Sequence, residues 1–178
     1  MAIQIVFETH SLTEDNARQI ATGWRHGRLS DQGRALANEL GERRRRDGIN
    51  AVFTSDLRRA IETADIAFGG TPIPILHDWR LRECDYGEWN GMTRDQLDRT
   101  RREHLDRAYP AGESWREATQ RVRRFLDDLG MRWTSRRVLV IGHMATRWGL
   151  EHYLNGVSLE ELLAEHFVWQ PGWEYTLS

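Results

Sequence analysis

Val138-Leu139-Val140-Ile141-Gly142-His143 decides the fold. Four consecutive aliphatic residues without polar alternation are the pattern of a strand buried on both faces, as in a parallel sheet. The run ends on a glycine and a histidine, and the stretch to about Leu154 then reads as a helix. Strand, polar turn and helix together form the repeating unit of an α/β sheet. The same unit appears twice earlier. Ile3–Phe7 is an apolar run closing on Thr9-His10-Ser11, and Ala51–Thr54 closes on Ser55 and then Arg58-Arg59. Ser30 is a predicted N-cap for a helix carrying Leu36, Ala37 and Leu40 on one face. Asp56–Phe68 reads as a second helix, and Glu113–Leu129 as a third with Val122, Phe125, Leu126 and Leu129 as its buried stripe. Ile73–Leu76 reads as a strand that Pro74 places at an edge. The tail with Trp169, Trp173 and Tyr175 adds a last strand or hairpin, and the charged stretch 92–110 reads as an exposed helical cap. The expected fold class is α/β: a three-layer α/β/α domain with a mostly parallel central sheet.

Composition narrows the function. A chain of 178 residues, 39% hydrophobic and 29% charged, is the size of one domain spanning 1–178 with a buried core. No apolar run approaches the roughly 20 residues of a membrane span. The N-terminal residues have no basic start and no small-residue cleavage site, so the expected localisation is cytoplasmic. The single cysteine, Cys84, excludes a disulfide framework and a multi-cysteine zinc site. All 25 basic residues are arginine, a bias that either genome composition or phosphate recognition would produce. The 27 acidic residues are interspersed among them, and no basic stripe alternates with aromatics, so no nucleic-acid partner is expected. Arg43–Arg46 reads as a solvated helix end with Gly48 as its stop.

Ligands of an open parallel sheet bind at the carboxyl ends of the strands. His10, His143 and an arginine after Ser55 converge there from distant parts of the chain. An imidazole serves as nucleophile or base near neutral pH, and arginine favours an anionic ligand. Period-two alternation puts Glu8 on the same side of its strand as His10. A second histidine motif, Arg25-His26-Gly27, follows no apolar strand and reads as loop, and Trp24 and Trp89 are candidates to wall a pocket. Cys84 adjoins Glu83 but has no activating partner in sequence.

Taken in order, the motifs resemble those of the histidine phosphatase superfamily, which includes the cofactor-dependent phosphoglycerate mutases and many small phosphatases. Thr9-His10-Ser11-Leu12-Thr13, with Asn16 beyond, falls where the family has Arg-His-Gly-Glu-Thr and a later Asn. Ala21-Thr22-Gly23-Trp24, with Leu29-Ser30 and Gly33, resembles the loop over the substrate. Ser55-Asp56-Leu57-Arg58-Arg59-Ala60 with Thr63-Ala64 is similar to the second motif. Leu81-Arg82-Glu83 with Tyr86-Gly87-Glu88-Trp89-Asn90-Gly91 resembles the block carrying the acid, and Val138–His143 the last strand. The resemblance implies a phosphoglycerate mutase-like fold and a phosphohistidine mechanism. His10 would be the nucleophile, Arg59 the phosphate-binding arginine, His143 the second pocket histidine, and Glu83 the proton donor to the leaving group. The same correspondence puts Thr9, Ser11, Asn16, Thr22 and Gly23 at substrate-binding positions. It implies no metal, no cofactor and a small phosphorylated substrate without membrane association, and it is compatible with a homodimer. Phosphatase is preferred to mutase because the mutases are longer between the acid and the second histidine.

Two positions depart from the family pattern: Thr9 replaces its arginine and Ser11 its glycine. A cation in a water-excluded phosphate site supplies several kcal/mol, so its loss costs on the order of 100-fold in rate unless another group replaces it. Arg25, Arg28 and Arg147 are the candidates for that replacement. Two alternatives therefore stand beside hydrolysis: a weakened member that binds an anionic ligand, and a repurposed site doing other acid–base chemistry.

Overall fold

A computed structural model of the chain describes residues 2–178. Its central sheet is built from β1 (Ile3–Thr9), β3 (Ala51–Thr54), β4 (Ile75–His77), β6 (Arg137–Gly142) and β7 (Trp173–Leu177); β2 (Ile20–Ala21) and β5 (Met92–Thr93) form a separate two-stranded ribbon. The strand order is β4-β3-β6-β1-β7. The first four of these run parallel, and β7 closes the far edge antiparallel to β1. Pro74 thus precedes an edge strand, as its missing N–H requires, and the tail forms a strand at the opposite edge.

The helices are α1 (Glu14–Ala17), α2 (Asp31–Arg44), α3 (Arg58–Phe68), α4 (Arg94–Thr100), α5 (Trp115–Arg132), α6 (Met144–Asn155) and α7 (Leu159–Ala164). Side-chain alternation along the strands assigns them to layers. Ile3, Ile5, Phe7, Phe53, Val138 and Val140 pack with the stripe Val122, Phe125, Leu126 and Leu129 of α5 and with Leu150 of α6. Val6, Val52, Leu139 and Ile141 point the other way, onto Leu40 of α2 and Ala64, Ala67 and Phe68 of α3. Each fully buried large apolar side chain contributes about 1.5–3 kcal/mol relative to its exposed state, so both faces of the sheet are covered by helices anchored at many points. None of the helices is long and apolar enough to cross a membrane.

Two expectations change. The stretch 92–110 is helical only through Thr100, and it is not a bare cap: Leu97, His104, Leu105 and Tyr109 are buried against Trp115, Trp148 and Leu159 in a third cluster. Most of its charges lie on the outside of a short packed helix and a turn, while Arg101 packs over Trp115 and Trp148. The arginine run ends α2 and is mostly exposed, as expected, but Arg44 is half-buried and both it and Arg43 are paired. Arg44 donates to Glu8 at 2.9 Å and to Asp47 at 2.9 Å, Arg43 lies 3.4 Å from Glu8, and Arg45 donates to the Ala67 carbonyl at 2.6 Å. Glu8 is fully buried in β1, and a buried carboxylate needs cations around it.

Candidate active site

Register places the two histidines side by side. Thr9 of β1 pairs with Gly142 of β6, so His10 and His143 leave adjacent strands at the same level. The His10 N–H donates to the Gly142 carbonyl at 3.0 Å, and the imidazole centroids are 5.0 Å apart. Ser55 follows β3 at the same edge, because Thr54 pairs with Ile141.

The contacts fix both tautomers. His10 Nδ1 lies 2.8 Å from the Ser11 carbonyl oxygen. That oxygen can only accept, so Nδ1 carries the proton and Nε2 keeps its lone pair. Among the described residues Nε2 has no hydrogen-bond partner, and His10 lines a cavity of about 540 Å3. Burial, with the charge of Arg59 next, pulls the His10 pKa down to about 3, so the imidazole is neutral at physiological pH. His143 is held the other way round. Arg59 Nη2 donates to its Nδ1 at 3.3 Å, and its Nε2–H faces Ser55 Oγ at 2.6 Å. Burial and the Arg59 charge push its pKa well below the usual imidazole range.

Arg59 is 2% exposed and has no carboxylate ion-pair partner among the described residues. Its guanidinium donates to the carbonyls of Gly23 at 2.8 Å and Arg25 at 3.2 Å. Burial depresses its pKa, and the charge of Glu83 opposes that shift. The guanidinium stands behind His143 rather than on the cavity wall, and reaches the wall through that ring and through its field.

Glu83 lies on the cavity wall, held against the backbone that follows His143. Its Oε1 accepts from the N–H groups of Cys84 at 2.9 Å and Ala145 at 3.1 Å; Oε2 accepts only from Met144, at 3.3 Å. Two of these donors are at the start of α6, where unpaired N–H groups favour an acceptor. Oε2 is therefore the freer oxygen. Trp24 does not wall the cavity: its indole N–H donates to the Glu83 carbonyl at 2.7 Å, and Arg82 stacks on its face at 4.5 Å, so it braces the backbone that carries the acid. Trp89 faces a different cavity, against His104 and Tyr109.

Thr9, Ser11 and Asn16 line the cavity. The Ser11 hydroxyl is committed to the Gly33 carbonyl at 2.5 Å, and Asn16 Oδ1 caps Thr13 N at 3.1 Å, which leaves the Asn16 NH2 group as its donor toward a ligand. Thr22 and Gly23 are not on the wall. Thr22 donates to Asp15 at 2.9 Å and Gly23 offers its carbonyl to Arg59, so both hold the layer behind it.

None of the loop arginines brings its charge to His10. Arg25 packs against Gly91 on the separate cavity, and Arg28 is exposed beside Glu14 at 3.4 Å. Arg147 does line the site, but its side chain is 7% exposed and bound by Glu165 at 2.7 Å. The residue that sequence reasoning missed is Arg94. It lines the cavity, its charge acts on His10, and it has no carboxylate partner among the described residues. Ser55 orients His143, a role its motif alone does not reveal. Cys84 is buried and its thiol is pushed up by burial and by Glu113 and Glu83, which disfavours a thiolate nucleophile. Among the described residues, no three His, Cys, Asp or Glu side chains are grouped to hold a metal ion.

Comparison with known proteins agrees with this geometry. The sequence pattern of the histidine phosphatase superfamily (branch 1) matches residues 5–170. A 2,3-bisphosphoglycerate-dependent phosphoglycerate mutase of Neisseria meningitidis serogroup C is 29% identical over 201 aligned positions, covering 90% of this chain and 88% of the relative. The solved structure of Bacillus stearothermophilus YhfR superposes with a TM-score of 0.83 at 28% identity, covering 95% of this chain and 88% of that one. A mycobacterial glucosyl-3-phosphoglycerate phosphatase in complex with VO3 superposes with a TM-score of 0.82 at 26% identity, covering 98% and 92%. With strand order, paired histidines and motif order all in agreement, the chain belongs to the histidine phosphatase superfamily and is a phosphatase-type enzyme.

Proposed function

We propose that the protein hydrolyses phosphomonoesters of small metabolites through a phosphohistidine on His10, without a metal ion. The observation that carries this reading is the state of His10: neutral, with its proton committed to Ser11 and its Nε2 lone pair free at the cavity. Nε2 attacks phosphorus as the ester P–O bond breaks, and the leaving oxygen takes a proton from Glu83 Oε2. The Ser11 carbonyl keeps hold of Nδ1–H as the ring becomes positive. Water then attacks the phosphoryl group and gives its proton to the Glu83 carboxylate, and the P–N electrons return to Nε2. Such a displacement needs positioning and cationic stabilisation more than covalent help. Arg94 on the wall and Arg59 behind it supply the charge that Thr9 does not. Hydrolysis is favoured over mutase chemistry because the mutase alignment spans 201 positions against a chain of 178, so the relative carries segments this chain lacks.

The test is inorganic phosphate release from a panel of phosphomonoesters in the presence of a chelator, wild type beside His10→Ala and Glu83→Gln. Turnover that disappears in His10→Ala supports the phosphohistidine route. Absence of turnover above that variant on every ester rejects it. A second reading, anion binding with little turnover, is favoured by the position of Arg59 behind His143, and it would then take precedence.

A further inference from the structure

The cavity is much larger than a phosphoryl group, and its wall is mixed in chemistry. About 540 Å3 falls within the range of pockets that enclose whole small-molecule ligands. Beside the reacting groups, the wall carries Leu36 and Leu40 of α2, the aromatic rings of Phe167 and Trp169, and Met144 next to the acid. Phe167 and Trp169 are also among the few large apolar side chains left exposed, and both border the cavity. Exposed aromatics at the rim of a catalytic cavity find a partner when an apolar ligand occupies it.

Glu8 reaches the wall, but Arg44 at 2.9 Å and Arg43 at 3.4 Å already compensate it. Among the described residues, the other arginines on this wall are paired, Arg43 with Glu8 and Arg147 with Glu165, which leaves Arg94 as its unpaired cation. A neighbouring cavity is lined by Arg94, Arg101, Arg102 and Arg147, of which Arg94 and Arg102 have no carboxylate partner among the described residues. There Arg147 is bound by Glu165 and Arg101 by Asp98 at 2.8 Å. Arg94 borders both cavities, and its charge acts on His10 after that of Arg59.

The geometry points to a substrate whose alcohol carries an apolar ring, seated between the leucines of α2 and the aromatic pair Phe167 and Trp169. This assigns the substrate class of the proposed phosphatase site and rests on that reading. A sugar or polyol in the same place would lose water from its hydroxyls and find hydrocarbon instead. A ring would bury its faces against Leu36, Leu40 and Trp169.

The experiment compares 2-phenylethyl phosphate with glycerol 3-phosphate. Both are esters of primary alcohols, so intrinsic leaving-group reactivity does not decide the outcome. The expected kcat/KM ratio favours the phenylethyl ester by at least about 10-fold, and Trp169→Ala or Leu36→Asn collapses that ratio toward one. Binding of both esters to His10→Ala, followed by calorimetry, separates the two readings. A binding preference for the phenylethyl ester without turnover by wild type rejects the phosphatase reading and keeps the apolar pocket. Equal binding, a preference for glycerol 3-phosphate, or a ratio unchanged in both variants overturns the apolar pocket. Turnover of glycerol 3-phosphate alone overturns it while supporting hydrolysis.

Discussion

Arg94 occupies the first position of α4, just after the Thr93 cap, where the helix end favours negative charge. An arginine there, without a carboxylate partner and close enough to act on His10, is better explained by the site than by the helix. Arg94→Met is therefore expected to lower kcat/KM on any ester the enzyme turns over by about 10- to 100-fold, while Arg25→Met stays within about twofold. Arg94→Lys, which keeps the charge but not the fork, is expected to fall between them. Equal effects of the Arg94 and Arg25 substitutions in steady-state kinetics would show that the cavity takes its charge from elsewhere. At this scale the sequence is uneven. His10 and His143 are legible because each ends an apolar run, and Glu83 because it opens a recognisable block. Arg94 is not, since nothing local distinguishes it from the other charges of 92–110. Only the pairing of β2 with β5, and the bond from Arg94 N to the Gln19 carbonyl at 2.8 Å, bring it to the site. Arg147 is hidden for a related reason: its partner Glu165 is 18 residues away in a segment with no periodic signal.

At the scale of elements, the site depends on how closely α2 docks on the loop that leaves β1. Ser30 N donates to the Leu12 carbonyl at 3.0 Å, and Ser11 Oγ donates to the Gly33 carbonyl at 2.5 Å. A methyl group at Gly33 would overlap the Leu12 carbonyl oxygen, so the helix accepts a glycine near its start in order to come this close. Gly33→Ala should gain about 1 kcal/mol of helix propensity and still lose stability, since backbone overlap costs about 1–3 kcal/mol or more. The expected result in urea unfolding is a lower midpoint with an unchanged m-value. Phosphate affinity should weaken as well, because the loop displaced is the one that sets His10. A midpoint that rises, with affinity intact, would mean that α2 can withdraw without disturbing the site. The strands and the helices flanking the sheet were legible from periodicity, including the edge position imposed by Pro74. The pairing of Arg43 and Arg44 with the buried Glu8 was not, because the partners are 35 and 36 residues apart and meet only in the tertiary fold.

Across the whole molecule, the two imidazoles buried beside Arg59 link stability to pH. The pKa of His10 falls to about 3 and that of His143 falls well below its ordinary value of 6.5. Below pH 6.5 the unfolded chain therefore binds protons that the native state refuses, and native stability declines as the pH falls. Above about pH 7 both states hold these rings neutral and the dependence vanishes. The slope is at most about 1.4 kcal/mol per pH unit for each histidine. The paired carboxylates Asp47, Asp56 and Glu174 have lowered pKa values, so their contribution is present above the usual carboxylate range and is lost only at more acidic pH. The window from pH 6.5 to 5 thus reports mainly on histidine. In urea unfolding across that window the wild-type midpoint should fall with pH, and His10→Asn should flatten part of the fall. Inorganic phosphate should reduce it too, since a bound anion offsets Arg59 and lets the imidazoles accept protons in the native state. A wild-type midpoint that stays level from pH 6.5 to 5 would show that the histidines are protonated in the folded protein. The free Nε2 lone pair on which the phosphohistidine mechanism depends would then be absent at the lower end of that range.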